Sequence, residues 1–274
     1  MRHLLKLSAI IVALLMCTGV SVAADLTRAF MNCTYLIQSH TVYGTAFVIG
    51  EPVPDAPSRS NLVLVMAAHI LESMPGEKAV LHARVHDGDR WRKVPWPITI
   101  RHQGRALWTR HPAVDIAALR VALPQGSSER VPAIDLAATD ADYHRFGIQP
   151  GEAVMVLGFP LAMGSGDAGF AVLRGGRVAS YPLTPIRAEK TFLVDFPVFP
   201  GNSGGPVIME SAGRELSDGT RAGRVQILLG VVSREALSVD TGPDATATIG
   251  RPLSLAWVVH ADFIRDLIEM LPPP

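Results

Sequence analysis

The chain has 274 residues, with 25 Lys and Arg set against 25 Asp and Glu, so its formal net charge at neutral pH is zero. Hydrophobic residues make up 48% and charged residues 18%, which excludes a disordered chain and a polyelectrolyte. A neutral balance speaks against nucleic acid as a partner, because a basic patch would tilt it. At this length a full core forms without a metal or disulfide staple.

In chain order, the first feature is a leader. Arg2, His3 and Lys6 precede an apolar run over 7–16, and Ser21, Ala23 and Ala24 follow. Basic, apolar and small-residue regions in that order read as a cleavable secretory signal over 1–24. The apolar run is shorter than the ~20 residues of a spanning helix. This predicts export, to the periplasm or the medium, with no stable membrane insertion after cleavage. Met16 is too bulky to precede a lipoprotein cysteine at Cys17. Removing 24 residues leaves 250 and takes Arg2 and Lys6 away, so 23 basic residues face 25 acidic ones. Cys33 is then the one remaining cysteine, and no internal disulfide is available.

Past the leader, short β-type runs alternate with Gly, Pro, Asp and Asn. Twelve are predicted, six at 42–49, 62–68, 79–86, 91–100, 106–108 and 116–122, and six at 153–158, 171–179, 191–196, 206–210, 225–233 and 253–259. Asp87-Gly88 and Asp218-Gly219 are turn signals. One helix is expected, where Phe263, Ile264, Leu267, Ile268 and Leu271 recur at helical spacing ahead of Pro272. The stretch 124–150, rich in Ser, Asp, Ala and Pro, reads as the linker between the two sets. Six plus six strands predict an all-β chain of two antiparallel barrels with a C-terminal helix.

The strongest chemical signal is Gly201-Asn202-Ser203-Gly204-Gly205-Pro206. A serine among glycines packs no core, but it has room for a substrate chain. The N–H groups of Gly201 and Ser203 can also converge on one spot, as an oxyanion requires. Upstream, the apolar run Leu64-Val65-Met66-Ala67-Ala68 ends in His69, and Asp115 opens the run Ile116-Ala117-Ala118-Leu119. His69, Asp115 and Ser203 follow one another at gaps of 46 and 88 residues.

These segments resemble the chymotrypsin-fold (trypsin-like) serine proteases, in the style of the bacterial HtrA-like and glutamyl-endopeptidase-like members. Ala67-Ala68-His69 matches the family's His motif, Asp115-Ile116-Ala117 its Asp motif, and Gly201 to Pro206 its Ser motif. Gly44-Thr45-Ala46-Phe47 resembles the strand before the His, and Leu157-Gly158-Phe159-Pro160 the opening of the second barrel. The resemblance implies a serine endopeptidase acting on proteins or peptides through an acyl-enzyme. Ser203 would be the nucleophile, His69 the general base and acid, and Asp115 the group that orients the imidazole. Gly201 and Ser203 would supply the oxyanion hole, and Pro197, Val232 and Ser233 would line the substrate site, with Ser233 also supporting Asp115. No cofactor and no metal is implied. The expected division is a barrel over 25–135 carrying His69 and Asp115, and a barrel over 136–274 carrying Ser203 and the helix.

Departures narrow the expectation. Asn202 stands where digestive relatives carry an Asp that pairs with a newly cut N-terminus, so that mode of activation is not expected. No PDZ domain is expected after the C-terminal helix. Pro197 replaces the Asp of Arg/Lys-cutting relatives and Val232 the pocket His of glutamyl endopeptidases. A small or medium apolar residue before the cut is the expectation; Arg234 and Glu235 replace bulky-aromatic and Gly positions of many relatives, with Glu235 crowding the pocket.

Rival patterns are weaker. Gly164 to Gly169 has the spacing of a dinucleotide loop, but a strand follows it where a helix is needed. His82 and His86 fall on the polar face of an alternating strand, which favours a surface over a metal site. Ser203 with Asp240 or Asp244 and His260 fits the order of an α/β-hydrolase-type esterase, but Pro206 and a strand-like run follow the serine. A catalytically inactive, protease-like binding module is the remaining alternative.

Overall fold

A computed structural model describes residues 26–54, 56–127, 130–240 and 249–274. The leader over 1–24 and Asp244 lie outside the described residues.

The N-terminal half comprises α1 (Leu26–Cys33), β1 (Thr34–Ser39), β2 (Val42–Val53), β3 (Ala56–Met66), α2 (Ala68–Ser73), β4 (Lys78–Asp87), β5 (Arg90–Thr99), β6 (Arg101–His102), β7 (Arg105–Ala106), β8 (Thr109–Arg110) and β9 (Ala117–Arg120). Seven of these strands form one antiparallel sheet in the order β5-β4-β1-β2-β3-β9-β8, and β6 pairs with β7 in a small separate ribbon. The C-terminal half comprises α3 (Asp140–Arg145), β10 (Ala153–Gly158), β11 (Val172–Val178), β12 (Thr191–Asp195), β13 (Pro206–Ala212), β14 (Arg224–Asp240), β15 (Ile249–His260) and α4 (Phe263–Met270). Its strands close a six-stranded barrel in the order β10-β11-β12-β15-β14-β13. The chain is thus mostly β, a closed barrel beside a second sheet, with the C-terminal helix in its expected place.

The core explains how the halves meet. Along β2 and β3, alternate side chains point to opposite faces. Ala46, Val48, Leu64 and Met66 join the N-terminal core. Phe47, Ile49, Val63 and Val65 join the core shared with the C-terminal barrel. Strands apolar on both faces are buried on both faces, and the seam between the halves runs along them.

Several elements differ from expectation. Helix α1 and strand β1 were not anticipated. Leu26, Phe30 and Cys33 bury one stripe of α1, too short a pattern to stand out. Strand β1 is buried on nearly every residue, so it shows no alternation. The predicted strand over 106–108 shrinks to β7, which ends at Ala106. The expected linker holds a 3-10 turn at Ile134–Leu136 and α3, which is started by a Thr139/Asp142 capping box. Strands β14 and β15 run beyond their predicted ends as one long hairpin, pairing as far as Asp240 with Ile249.

Candidate active site

Each sequence-predicted catalytic residue stands at the end of an element on the seam. His69 is the second residue of α2, directly after β3. Asp115 precedes β9, the neighbour of β3. Ser203 lies in the turn before β13. His69 Nδ1 is 2.7 Å from Asp115 Oδ2, and the His69 backbone N–H donates to Asp115 Oδ1 at 3.0 Å. The Ser233 hydroxyl donates to Asp115 Oδ2 at 2.7 Å. Burial alone would raise the Asp115 pKa. The bonds from the His69 ring, Ser233 and the His69 backbone outweigh it and hold this carboxyl below its usual range. The His69 side chain keeps 42% of its surface exposed, so its outer edge is open to solvent and substrate.

The nucleophile turn is braced from three directions. Thr45 on β2 donates its backbone N–H to Ser203 O at 2.9 Å and its hydroxyl to Gly201 O at 2.6 Å. The same hydroxyl accepts the Phe159 N–H at 3.0 Å. Gly204 N–H donates to Val232 O at 2.7 Å, and Val232 N–H donates back to Gly205 O at 2.9 Å. Within the turn, Asn202 Oδ1 accepts the Phe199 N–H at 2.8 Å. A Cβ at Gly201, where φ is +96°, would overlap Phe159 O, and one at Gly204 would overlap Thr45 O. No larger residue fits at either point.

This bracing consumes the N–H groups of Asn202, Gly204 and Gly205. Those of Gly201 and Ser203 have no acceptor among the described residues. An oxyanion needs backbone donors of this kind beside the nucleophile. Ser203 Oγ likewise makes no hydrogen bond among the described residues, to His69 or to any other group. An unliganded site commonly holds such a pair apart until substrate draws it together.

The expected substrate residues divide. The Pro197 carbonyl accepts from Arg174 Nη1 at 2.8 Å, and that guanidinium lies over the rings of Phe196 and Phe199. Ser233 supports Asp115. The Val232 side chain is buried and both its backbone groups are spent on the nucleophile turn. Thr45 and Asn202 fall inside the Gly44 to Phe47 and Gly201 to Pro206 motifs, but their bracing roles were not read from them, and no motif pointed to Arg174.

The esterase alternative is overturned. Ser203 leads through Pro206 into strand β13 rather than a helix. His260 is fully buried, with its Nδ1 3.0 Å from Tyr143 Oη, and burial pushes its pKa down to about 3. Among the described residues no cluster of three or more His, Cys, Asp or Glu stands in position to hold a metal ion.

A closed barrel beside a β-sheet, with its His, Asp and Ser motifs at the seam, is the architecture of the two-barrel, chymotrypsin-like proteins. Residues 44–215 match the family model described as a trypsin-like peptidase domain, and the chain belongs to that family of serine proteases. It is similar to two solved structures. One is Rv3671c from M. tuberculosis H37Rv, a Ser-to-Ala mutant in its inactive form, at 17% identity and a TM-score of 0.47 over 92% of this chain and 95% of that one. The other is the Rv3671c protease in its inactive form, at 20% identity and a TM-score of 0.47 over 91% and 93%. No curated protein matches the chain.

Proposed function

We propose that this trypsin-like peptidase is a serine endopeptidase working through Ser203, His69 and Asp115. Ser203 Oγ attacks the scissile carbonyl carbon and passes its proton to His69 Nε2. The tetrahedral oxyanion is received by the Gly201 and Ser203 N–H groups. Its collapse expels the amine, which takes the proton back from His69 and leaves an acyl-enzyme on Ser203. Water, deprotonated by His69, then releases the acid and restores the serine. Asp115 keeps the ring oriented and stabilises its charged form.

The observation that carries this reading is the pairing of the Ser233–Asp115–His69 hydrogen-bond chain with two unspent N–H donors at Ser203. Either alone is a common structural arrangement; together beside a serine they favour acyl transfer over a binding module. Phe199, exposed beside Pro197 and Pro200, supports an apolar residue before the cut. The leader over 1–24 supports export to the periplasm or medium, and a division at 135/136 would fall between β9 and β10, where one sheet gives way to the other.

A peptide-library cleavage profile of the wild type beside Ser203→Ala tests the reading. The expected result is a defined set of cuts, with small or medium apolar residues before them, that vanishes in the variant. No cuts from the folded wild type, or the same cuts from both proteins, would contradict it.

A further inference from the structure

The segment after β10 contains a strained turn that no catalytic motif explains. Leu161 has φ +52° and ψ +35°, and Ala162 has φ +59°. Two successive non-glycine residues in the left-handed region are uncommon, because Cβ crowds the following carbonyl. Such strain persists only where surrounding structure holds it. Ala162 packs against the core, but the Leu161 side chain is 64% exposed and does not hold its own backbone there. What the conformation secures is a backbone hydrogen bond, from Leu161 N–H to Pro200 O at 2.7 Å.

That bond decides where Gly201 N–H points. In a trans peptide the C=O and the following N–H are antiparallel across one plane. Pinning Pro200 O toward Leu161 therefore aims Gly201 N–H the opposite way, where it has no acceptor among the described residues. A glycine at 201 tolerates a wide range of φ, and a rotated Pro200–Gly201 peptide would present a carbonyl oxygen in place of a donor. An oxyanion would then meet a negative dipole.

The turn itself is firmly seated. Ala162 N–H donates to Phe159 O at 3.0 Å and Met163 N–H to Pro160 O at 2.9 Å. Phe159 N–H is held by Thr45. At the far end of the same loop, Ser165 and Phe170 exchange two backbone bonds. Arg84 from the other half donates to Gly169 O at 3.2 Å.

We propose that Leu161 is a positioning residue for the oxyanion hole, its left-handed backbone keeping the Pro200–Gly201 peptide turned so that Gly201 N–H faces the site. The inference rests on the peptidase reading above and adds the element that sets the hole.

Substitutions at this exposed position read the backbone with little change in packing. Gly and Asn tolerate the left-handed region, whereas a β-branched residue resists it. Leu161→Val is expected to lower kcat at least tenfold, toward the 10²–10³ typical of a lost oxyanion donor, with KM changed less than about twofold. Leu161→Gly and Leu161→Asn should keep kcat within about twofold of wild type. The Ki of a peptide aldehyde, whose adduct carries the oxyanion, should weaken in the Val variant in step with kcat/KM. A Val variant with undiminished kcat, or Gly and Asn variants that fall as far as Val, would overturn the proposal while an active wild type leaves the peptidase reading standing. A wild type without activity on the same peptides would overturn both.

Discussion

The Thr45 hydroxyl donates to the Gly201 carbonyl at 2.6 Å across the seam between the two halves of the molecule. Through this contact the N-terminal sheet sets the shape of a turn that belongs to the C-terminal barrel. Thr45→Val keeps the shape of the side chain but leaves Gly201 O and Phe159 N–H without their shared partner. An orphaned buried polar group costs about 1–3 kcal/mol. The variant is expected to lose most of its kcat, with a melting temperature lowered by several degrees, whereas Thr45→Ser restores both. Steady-state kinetics beside calorimetry on the two variants checks this.

Ser233 shares Asp115 Oδ2 with the His69 ring. Removing its hydroxyl in Ser233→Ala takes away one of the bonds that offset the burial of the carboxylate. A hydrogen bond to a charged group is worth about 1.5–3 kcal/mol, less where water reaches it, so kcat/KM should fall about tenfold. The Asp115 pKa should rise toward its ordinary value. A depressed carboxylate contributes stability above its unfolded pKa and loses it as pH falls through the folded one. The variant should therefore lose less stability than wild type on acidification, which urea titrations at successive pH values would register.

Asn202 is buried and its Oδ1 serves the Phe199 N–H. An Asp here would keep the acceptor but bury a charge in place of a neutral amide. Asn202→Asp is expected to lower the melting temperature, by about 2–4 °C for each kcal/mol lost at this size. Trimming the chain to a new N-terminus should not recover it. Differential scanning calorimetry on trimmed and untrimmed variants would show whether the loss persists.

His260 is neutral in the fold, its pKa pushed to about 3 by burial. In the unfolded chain it titrates near 6.5. Between these values the unfolded state binds the extra proton, so stability rises with pH across that window and falls as pH drops from about 6.5 toward 3. For one proton the slope is at most about 1.4 kcal/mol per pH unit. His260→Gln should flatten this part of the curve, measured as urea midpoints at pH 7, 6 and 5.

The sequence pattern carried far at the motifs and less far between them. His69, Asp115 and Ser203 were legible because each closes or opens an apolar strand, and those strand ends converge on the seam. Strand β1 was hidden because burial on both faces erases alternation. Arg84 shows the same effect in reverse. On β4 it alternates with His82 and His86 and reads as surface, yet it is 1% exposed. Gly169 O from the other half and three carbonyls near α1 bond it, while Tyr35 and Phe170 cover it. Contacts between segments tens of residues apart leave no local pattern. The roles of Thr45 and Leu161 were illegible for that reason, since what matters is the distant carbonyl each one meets.

The central claim is that Ser203 is a nucleophile activated by His69. Its most direct test is labelling of the folded protein with a fluorophosphonate, followed by mapping of the modified residue. The account predicts one adduct on Ser203, abolished in His69→Ala and retained in His260→Ala. A folded wild type that takes no label at Ser203, or labelling that survives His69→Ala undiminished, would contradict it.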